Sequence, residues 1–207
     1  MVIERKNYRK LRYEEKKNNI LESAARIFSK KGFEKAALED IADELKMTKG
    51  SLYYYIKSKE DMLFQCILKA LSMANDVLED VQKLNLPPEE KLRKVILGHT
   101  KVLTTDFVVG TLRQQELLLP KQMRDIVIFE RDKFEKLFIK ILRAVLREER
   151  YEREDWKIMA YAMLGALNWI PRWYSPEGKL SPEEIGGAMA KYLLRGLIKA
   201  NGWKKCS

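Results

Sequence analysis

The side chains that could do chemistry as a group fall in one stretch, Gly32 to Met62, GFEKAALEDIADELKMTKGSLYYYIKSKEDM. Within it Thr48, Lys49, Gly50, Ser51, Tyr53, Tyr54 and Tyr55 place an amine, hydroxyls and phenol rings along about two helical turns. Amines and hydroxyls at that spacing donate to base edges, while phenols and backbone N–H groups hold phosphate oxygens. The set contains no nucleophile with a base beside it, so its chemistry is recognition. Enzyme signals are missing elsewhere too. His99 is the single histidine, flanked by Gly98 and Thr100, and reads as structural before it reads as catalytic. No serine or cysteine sits in a nucleophile elbow, no glycine-rich phosphate loop follows a strand, and no carboxylate pair stands apart. Cys66 and Cys206 have no partners at metal-ligand spacing, so no metal site, disulfide framework or cofactor is expected.

Helices must position these groups. From Glu15 to Lys31, Ile20, Ala24, Ile27 and Phe28 recur at i, i+4, i+7 and i+8, an amphipathic stripe that stops at Gly32. Leu38, Ile41, Ala42 and Leu45 form a second, shorter stripe. Thr48 is an N-cap residue for a third helix, Lys49 to Ile56, whose apolar side is thin and whose other side carries Lys49, Ser51, Tyr54 and Tyr55. With Lys46 and Met47 as the turn, this is a helix-turn-helix whose second helix would enter a major groove. Ser58 caps a fourth helix, where backbone N–H groups and Lys59 can hold a phosphate.

This stretch resembles the N-terminal domain of the TetR family of transcriptional regulators. The likeness rests on Gly32-Phe33, Ile41-Ala42, Thr48 through Tyr55 and Ser58 through Met62, and it covers residues 15 to 65. Two positions depart from the family pattern. Ala37 stands where Ser or Thr often caps the second helix, at a cost of about 1 kcal/mol, and Lys46 stands where a glycine often closes it. The resemblance implies an all-α chain: a three-helix DNA-binding domain, then a larger helical domain for ligand binding and dimerisation. It also implies a homodimer on a palindromic operator, with Lys59 on phosphate.

Composition agrees with that layout. The 207 residues suffice for a domain of about 50 residues and one of about 140, and the boundaries read as an arm over 1–14, a DNA-binding domain over 15–62 and a ligand domain over 63–207. The formal charge is +10. Part of it lies ahead of the first helix, where Arg5, Lys6, Arg9, Lys10, Arg12, Lys16 and Lys17 face only Glu4, Glu14 and Glu15. That segment is either a solvated tail or an arm that tracks DNA. No secretion h-region and no run of eighteen apolar residues occurs, so no membrane partner is expected and a cytoplasmic location is.

Past Lys59 the pattern gives helices over 59–84, 88–104, 108–115, 121–149, 155–173 and 182–200. Gly186, Gly187, Ala188, Ala190 and Gly196 lie in the last one among Ile185, Met189, Tyr192 and Leu193. Glycine inside a soluble helix costs about 1 kcal/mol against alanine unless backbones approach closely there. The partner in that approach is either a second copy or the same subunit. The resemblance favours the second copy, through a four-helix bundle about a twofold axis, with Ile185, Ala188, Met189, Tyr192, Leu193 and Gly196 at the interface.

The segment Gly165 to Tyr174, GALNWIPRWY, is the candidate effector site. Pro171 removes a helical hydrogen bond and should bend the helix; Trp169 and Trp173, four apart, share a face, and so do Asn168 and Arg172. Such a face is either plain core or the mouth of a cavity for a ligand with an oily body and an anionic head. Phe107, Met163 and Leu167 are the expected lining, and Arg113 is a second candidate for an anionic group. The segment is similar to TetR proteins that respond to acyl-CoA thioesters and govern lipid breakdown. The alternatives are an efflux-pump regulator that senses hydrophobic drugs and a DNA-binding protein without an effector.

Overall fold

The computed structural model describes residues 2–112, 116–148 and 155–198. The described residues are helical throughout apart from turns. In order they are α1 (Val2–Lys35), α2 (Leu38–Glu44), α3 (Lys49–Tyr53), α4 (Lys59–Lys83), α5 (Pro88–Leu103), α6 (Asp106–Leu112), a 3-10 turn (Glu116–Leu118), α7 (Lys121–Glu148), α8 (Asp155–Asn168), α9 (Ile170–Trp173) and α10 (Pro182–Ile198).

Two compact units result. The first comprises residues up to Ala70 together with Asp106–Val127, and the second comprises Leu71–Thr105 with the chain from Ile128 onward. A boundary expected near residue 62 is therefore replaced by a unit that also takes in α6. The reason is a close approach: a Cβ on Gly110 of α6 would lie 2.4 Å from the Ala25 carbonyl oxygen of α1, so only glycine fits.

In the first unit the α1 stripe does what its spacing predicts. Ile20, Ala24, Ile27 and Phe28 are buried with Ile41, Ala42, Leu52, Ile56, Met62 and Leu63. Gly32, at φ 76°, breaks α1 where the sequence stops it. The N-terminal segment differs from an arm or tail, because α1 is already helical from Val2. Lys46 also takes a left-handed φ, 51°, as the residue that closes α2. Met47 N–H donates to the Ala42 carbonyl (2.8 Å) and Lys46 N–H to that of Asp43 (3.1 Å), a Schellman closure built on lysine. At the other end of α2 the Ala37 N–H donates to the Asp40 carboxylate (3.0 Å), which supplies half of a capping box.

In the second unit α5 packs against α8, α9 and α10. Leu92, Val95, Ile96, Phe138, Leu142, Leu146, Leu167 and Ile170 fill its core. Ser181 starts α10 as expected: its hydroxyl accepts from Glu184 N–H (3.2 Å) and its own N–H donates to the Glu184 carboxylate (2.8 Å). The glycine pair divides its work. A Cβ on Gly186 would press on Leu97 (3.3 Å) and Thr100 (3.4 Å) of α5, whereas one on Gly187 would meet nothing within 4 Å. Close approach within the subunit accounts for Gly186 alone.

Candidate nucleic-acid interface and effector region

Helix α3 owes its shape to its cap. Thr48 Oγ1 accepts from Ser51 N–H (3.2 Å), and Leu52 and Ile56 are buried beneath it. The rest of the run then has to face outward. Thr48, Lys49, Gly50, Ser51, Tyr53 and Tyr54 are exposed, Tyr54 to 73%, and Tyr55 is half-buried. The α3 run that spacing assigned to DNA is thus left open to solvent.

Two partners of that surface escaped sequence reasoning. Tyr13 of α1 stacks on Tyr55 (4.9 Å between ring centres, 28°) and meets Tyr54 edge-on (5.8 Å, 81°). Burial, followed by the neighbouring Tyr54, raises the Tyr13 pKa and keeps the phenol protonated as a donor. No motif marks Tyr13; only the continuity of α1 through residue 13 brings it to the third helix. The second is Glu39 of α2, whose carboxylate pairs with Lys49 Nζ at 2.6 Å. The hydrogen bond to Lys49 lowers the Glu39 pKa, and the same bond raises that of Lys49. Both groups are exposed, so the pair is a loose latch that a DNA phosphate or base can replace.

Beside these tyrosines lies a groove of about 810 Å³ whose cationic lining is Arg9, Arg12 and Lys16. A second groove of about 430 Å³ connects Lys16 and Lys46 with Thr48, Ser51 and Tyr54. In the first groove three cations and four phenols outweigh the single carboxylate of Glu15, a lining that fits a phosphate backbone. Lys59 is employed differently. Its ammonium donates to the carbonyls of Phe33 (3.0 Å), Glu34 (3.1 Å) and Ala36 (3.2 Å) and lies 4.7 Å from the Phe33 ring centre. It closes the C-terminal end of α1 instead of reaching outward. Ser58, as expected, caps α4 by accepting from Asp61 N–H (3.1 Å).

The effector candidates are less gathered. α8 ends at Asn168 and α9 begins at Ile170 with Pro171 in its first turn, so the expected break is present. Trp169 and Trp173 are 61% and 48% exposed, and the Arg172 guanidinium lies 5.6 Å from the Trp169 ring centre. Met163 and Leu167 are buried in the second unit, Phe107 is buried in the first, and Arg113 lies outside the described residues. Asn168 finds a partner that spacing did not suggest: its carbonyl oxygen is 3.3 Å from His99 Nε2. Burial lowers the His99 pKa to about 4, and the hydrogen bond to Asn168 only partly opposes it. Phe134 lies 4.9 Å from the imidazole, and Nδ1 has no partner. Of the proposed dimer residues, Ala188, Tyr192 and Gly196 are exposed, Met189 and Leu193 are half-buried, and Ile185 is buried within the subunit. Among the described residues no three His, Cys, Asp or Glu side chains could hold a metal, and no helix is long and apolar enough to cross a membrane.

A capped reading helix packed with α1 and α2 in the first unit, its outer face given to amine, hydroxyl and phenol groups, defines a DNA-binding regulator of helix-turn-helix type. The chain belongs to the TetR family: residues 20–66 match the family described as bacterial regulatory proteins, tetR family, and residues 85–197 match the tetracyclin repressor-like C-terminal domain. It is similar to the HTH-type transcriptional repressor KstR2 of Mycobacterium tuberculosis, at 27% identity over 89% of this chain and 94% of that protein. Among solved structures it is similar to the TetR family transcriptional regulator PfmR from Thermus thermophilus, at TM-score 0.78 and 32% identity over 86% of this chain and 98% of that one. It is also similar to AibR solved in complex with isovaleryl coenzyme A and operator DNA, at TM-score 0.73 and 26% identity over 85% of this chain and 96% of that one.

Proposed function

We propose that this regulator is a cytoplasmic repressor that binds a palindromic operator as a homodimer and is released by an acyl-CoA, so that lipid-breakdown genes are expressed when their substrate is present. One observation carries the reading. AibR, alike over nearly its whole length, takes both operator DNA and an acyl-CoA, and the repressor KstR2 is similar over a comparable span.

In this reading Lys49 and Ser51 donate to base edges, while Tyr53, Tyr54, Tyr55, Thr48 and the N–H groups around Gly50 hold the backbone. Arg9, Arg12 and Lys16 add sequence-independent phosphate contacts. The outward residues of α10, Ala188, Tyr192 and Gly196 with Met189 and Leu193, face the second copy. Asn168, Trp169, Arg172 and Trp173 receive the effector, with Met163 and Leu167 as apolar lining. Effector binding lowers DNA affinity by its preference for the conformation that fits the operator less well.

A titration of the protein on DNA from upstream of its own gene tests the reading. Long-chain acyl-CoA is expected to release the duplex at concentrations where free fatty acid does not. Failure of every chain length to release it refutes the acyl-CoA assignment.

A further inference from the structure

Recognition of DNA leaves unused a row of cations in the second unit. On α7 Lys133, Lys136, Lys140, Arg143 and Arg147 recur at intervals of three and four, so they share one helix face. Like charges at that spacing destabilise a helix. Lys133 is paired with Glu130 at 2.7 Å, but among the described residues no carboxylate lies within ion-pair distance of the other four.

Two grooves open on this face and share Lys140 and Ala144. One, of about 260 Å³, has Lys91 and Lys140 beside Leu86, Pro88 and Ile141. The other, of about 490 Å³, has Lys136, Arg143 and Arg147 around Ile139. The polar atoms along them point independently to a missing acceptor. Gln82 lines the first groove and Arg143 the second, and the Gln82 Nε2 and Arg143 Nε donors are buried with no partner. The Arg143 and Arg147 guanidiniums lie 4.5 and 5.9 Å from the Trp156 ring centre, which fixes them as a pair, and Trp156 Nε1 is a third unpartnered donor. Buried N–H groups without acceptors are costly, and planar guanidiniums match phosphate oxygens in bidentate fashion.

We propose that this face of α7 binds an organic polyphosphate, with the phosphates on Lys136, Lys140, Arg143 and Arg147 and the organic part on Leu86, Pro88, Ile139 and Ile141. The phosphoadenosine head of coenzyme A and a free nucleotide share this chemistry. Choosing coenzyme A rests on the effector reading above; the polyphosphate site does not.

Calorimetric titration of the full-length protein with coenzyme A, ATP, pantetheine and inorganic pyrophosphate tests it, in wild type and in Lys136→Gln/Lys140→Gln. Both lysines are exposed, so the variant is expected to melt like wild type, and Lys140→Glu alone serves if it does not. Coenzyme A or ATP should bind wild type and lose at least tenfold in either variant, while pantetheine should show no such difference. Tighter binding of coenzyme A than of ATP assigns the site to the effector's head, and the reverse assigns it to a free nucleotide. Equal affinity in wild type and variant overturns the proposal, as does pyrophosphate binding as well as the nucleotides, which marks an unspecific anion patch. An equal loss of operator affinity in the variant makes the face a DNA surface and overturns it as well. If coenzyme A binds in this charge-dependent way but no acyl-CoA releases DNA, the effector reading fails and the polyphosphate site stands.

Discussion

In the first unit the groups offered to base edges lie within the eight residues from Thr48 to Tyr55, and one cap and two buried side chains turn that run outward. In the second unit the residues offered to a ligand are divided. Met163 and Leu167 are core, Trp169 and Trp173 are exposed, and Asn168 is tied to His99 from a helix sixty-nine positions away in sequence. A reading surface made from one short helix is built by local rules. A ligand site made from several helices depends on packing that no local rule supplies.

The sharpest way to break this contrast is to attack the contact that brings α6 into the first unit. Gly110→Ala drives a methyl group against the Ala25 carbonyl, where backbone cannot yield cheaply. A loss of about 3 kcal/mol is expected in chemical denaturation. Unchanged stability means that α6 does not pack on α1 as described. The sequence marked Gly110 only as part of a short middle helix, because close approach between distant backbones leaves no periodic trace. The α1 stripe was legible for the opposite reason: Ile20, Ala24, Ile27 and Phe28 state their burial through spacing alone. Tyr13 and the α7 cation grooves were not legible, since one needs the continuity of α1 and the other needs the α4–α5 turn beside α7.

The second unit contains the chain's only histidine, so acid should weaken it through a defined group. His99 has a folded pKa of about 4 against an ordinary 6.5, so below pH 6.5 the unfolded chain takes up a proton that the folded chain refuses. Stability therefore falls from about pH 6.5 down to about pH 4, by roughly 3 kcal/mol in total, and is flat with respect to this group above that window. His99→Gln should flatten the difference between melts at pH 7 and pH 4.5. An identical acid dependence in the variant would remove His99 from the account.

On the reading surface, Lys49→Ala removes one donor to a base or phosphate and frees Glu39. Operator affinity is expected to fall by about 1–3 kcal/mol, with a salt slope shallower by roughly one if the contact is to phosphate. Retained affinity at moderate salt would move the reading contacts off α3. Lys46→Gly works in the other direction. The lysine holds φ 51°, a conformation in which glycine bears no Cβ penalty, so the substitution should stabilise by about 1 kcal/mol without touching α3. A loss instead would show that the Lys46 side chain contributes more than its backbone strain takes away.

The smallest expected effect decides what the glycine pair in α10 is for. A Cβ at position 187 meets nothing in the subunit, so Gly187→Ala in an isolated subunit should gain about 0.5–1 kcal/mol from helix propensity. In a dimer whose second copy lies against that glycine, the same methyl group would instead push the two helices apart. Melting at two protein concentrations, with sedimentation of each sample, separates the cases. A uniform gain leaves the dimer contact to Ala188, Tyr192 and Gly196, whereas a loss confined to the dimer places the partner's backbone on Gly187 itself. Gly186→Ala is the internal control, since its methyl group meets Leu97 and Thr100 of the same chain and should cost the same whatever the association state.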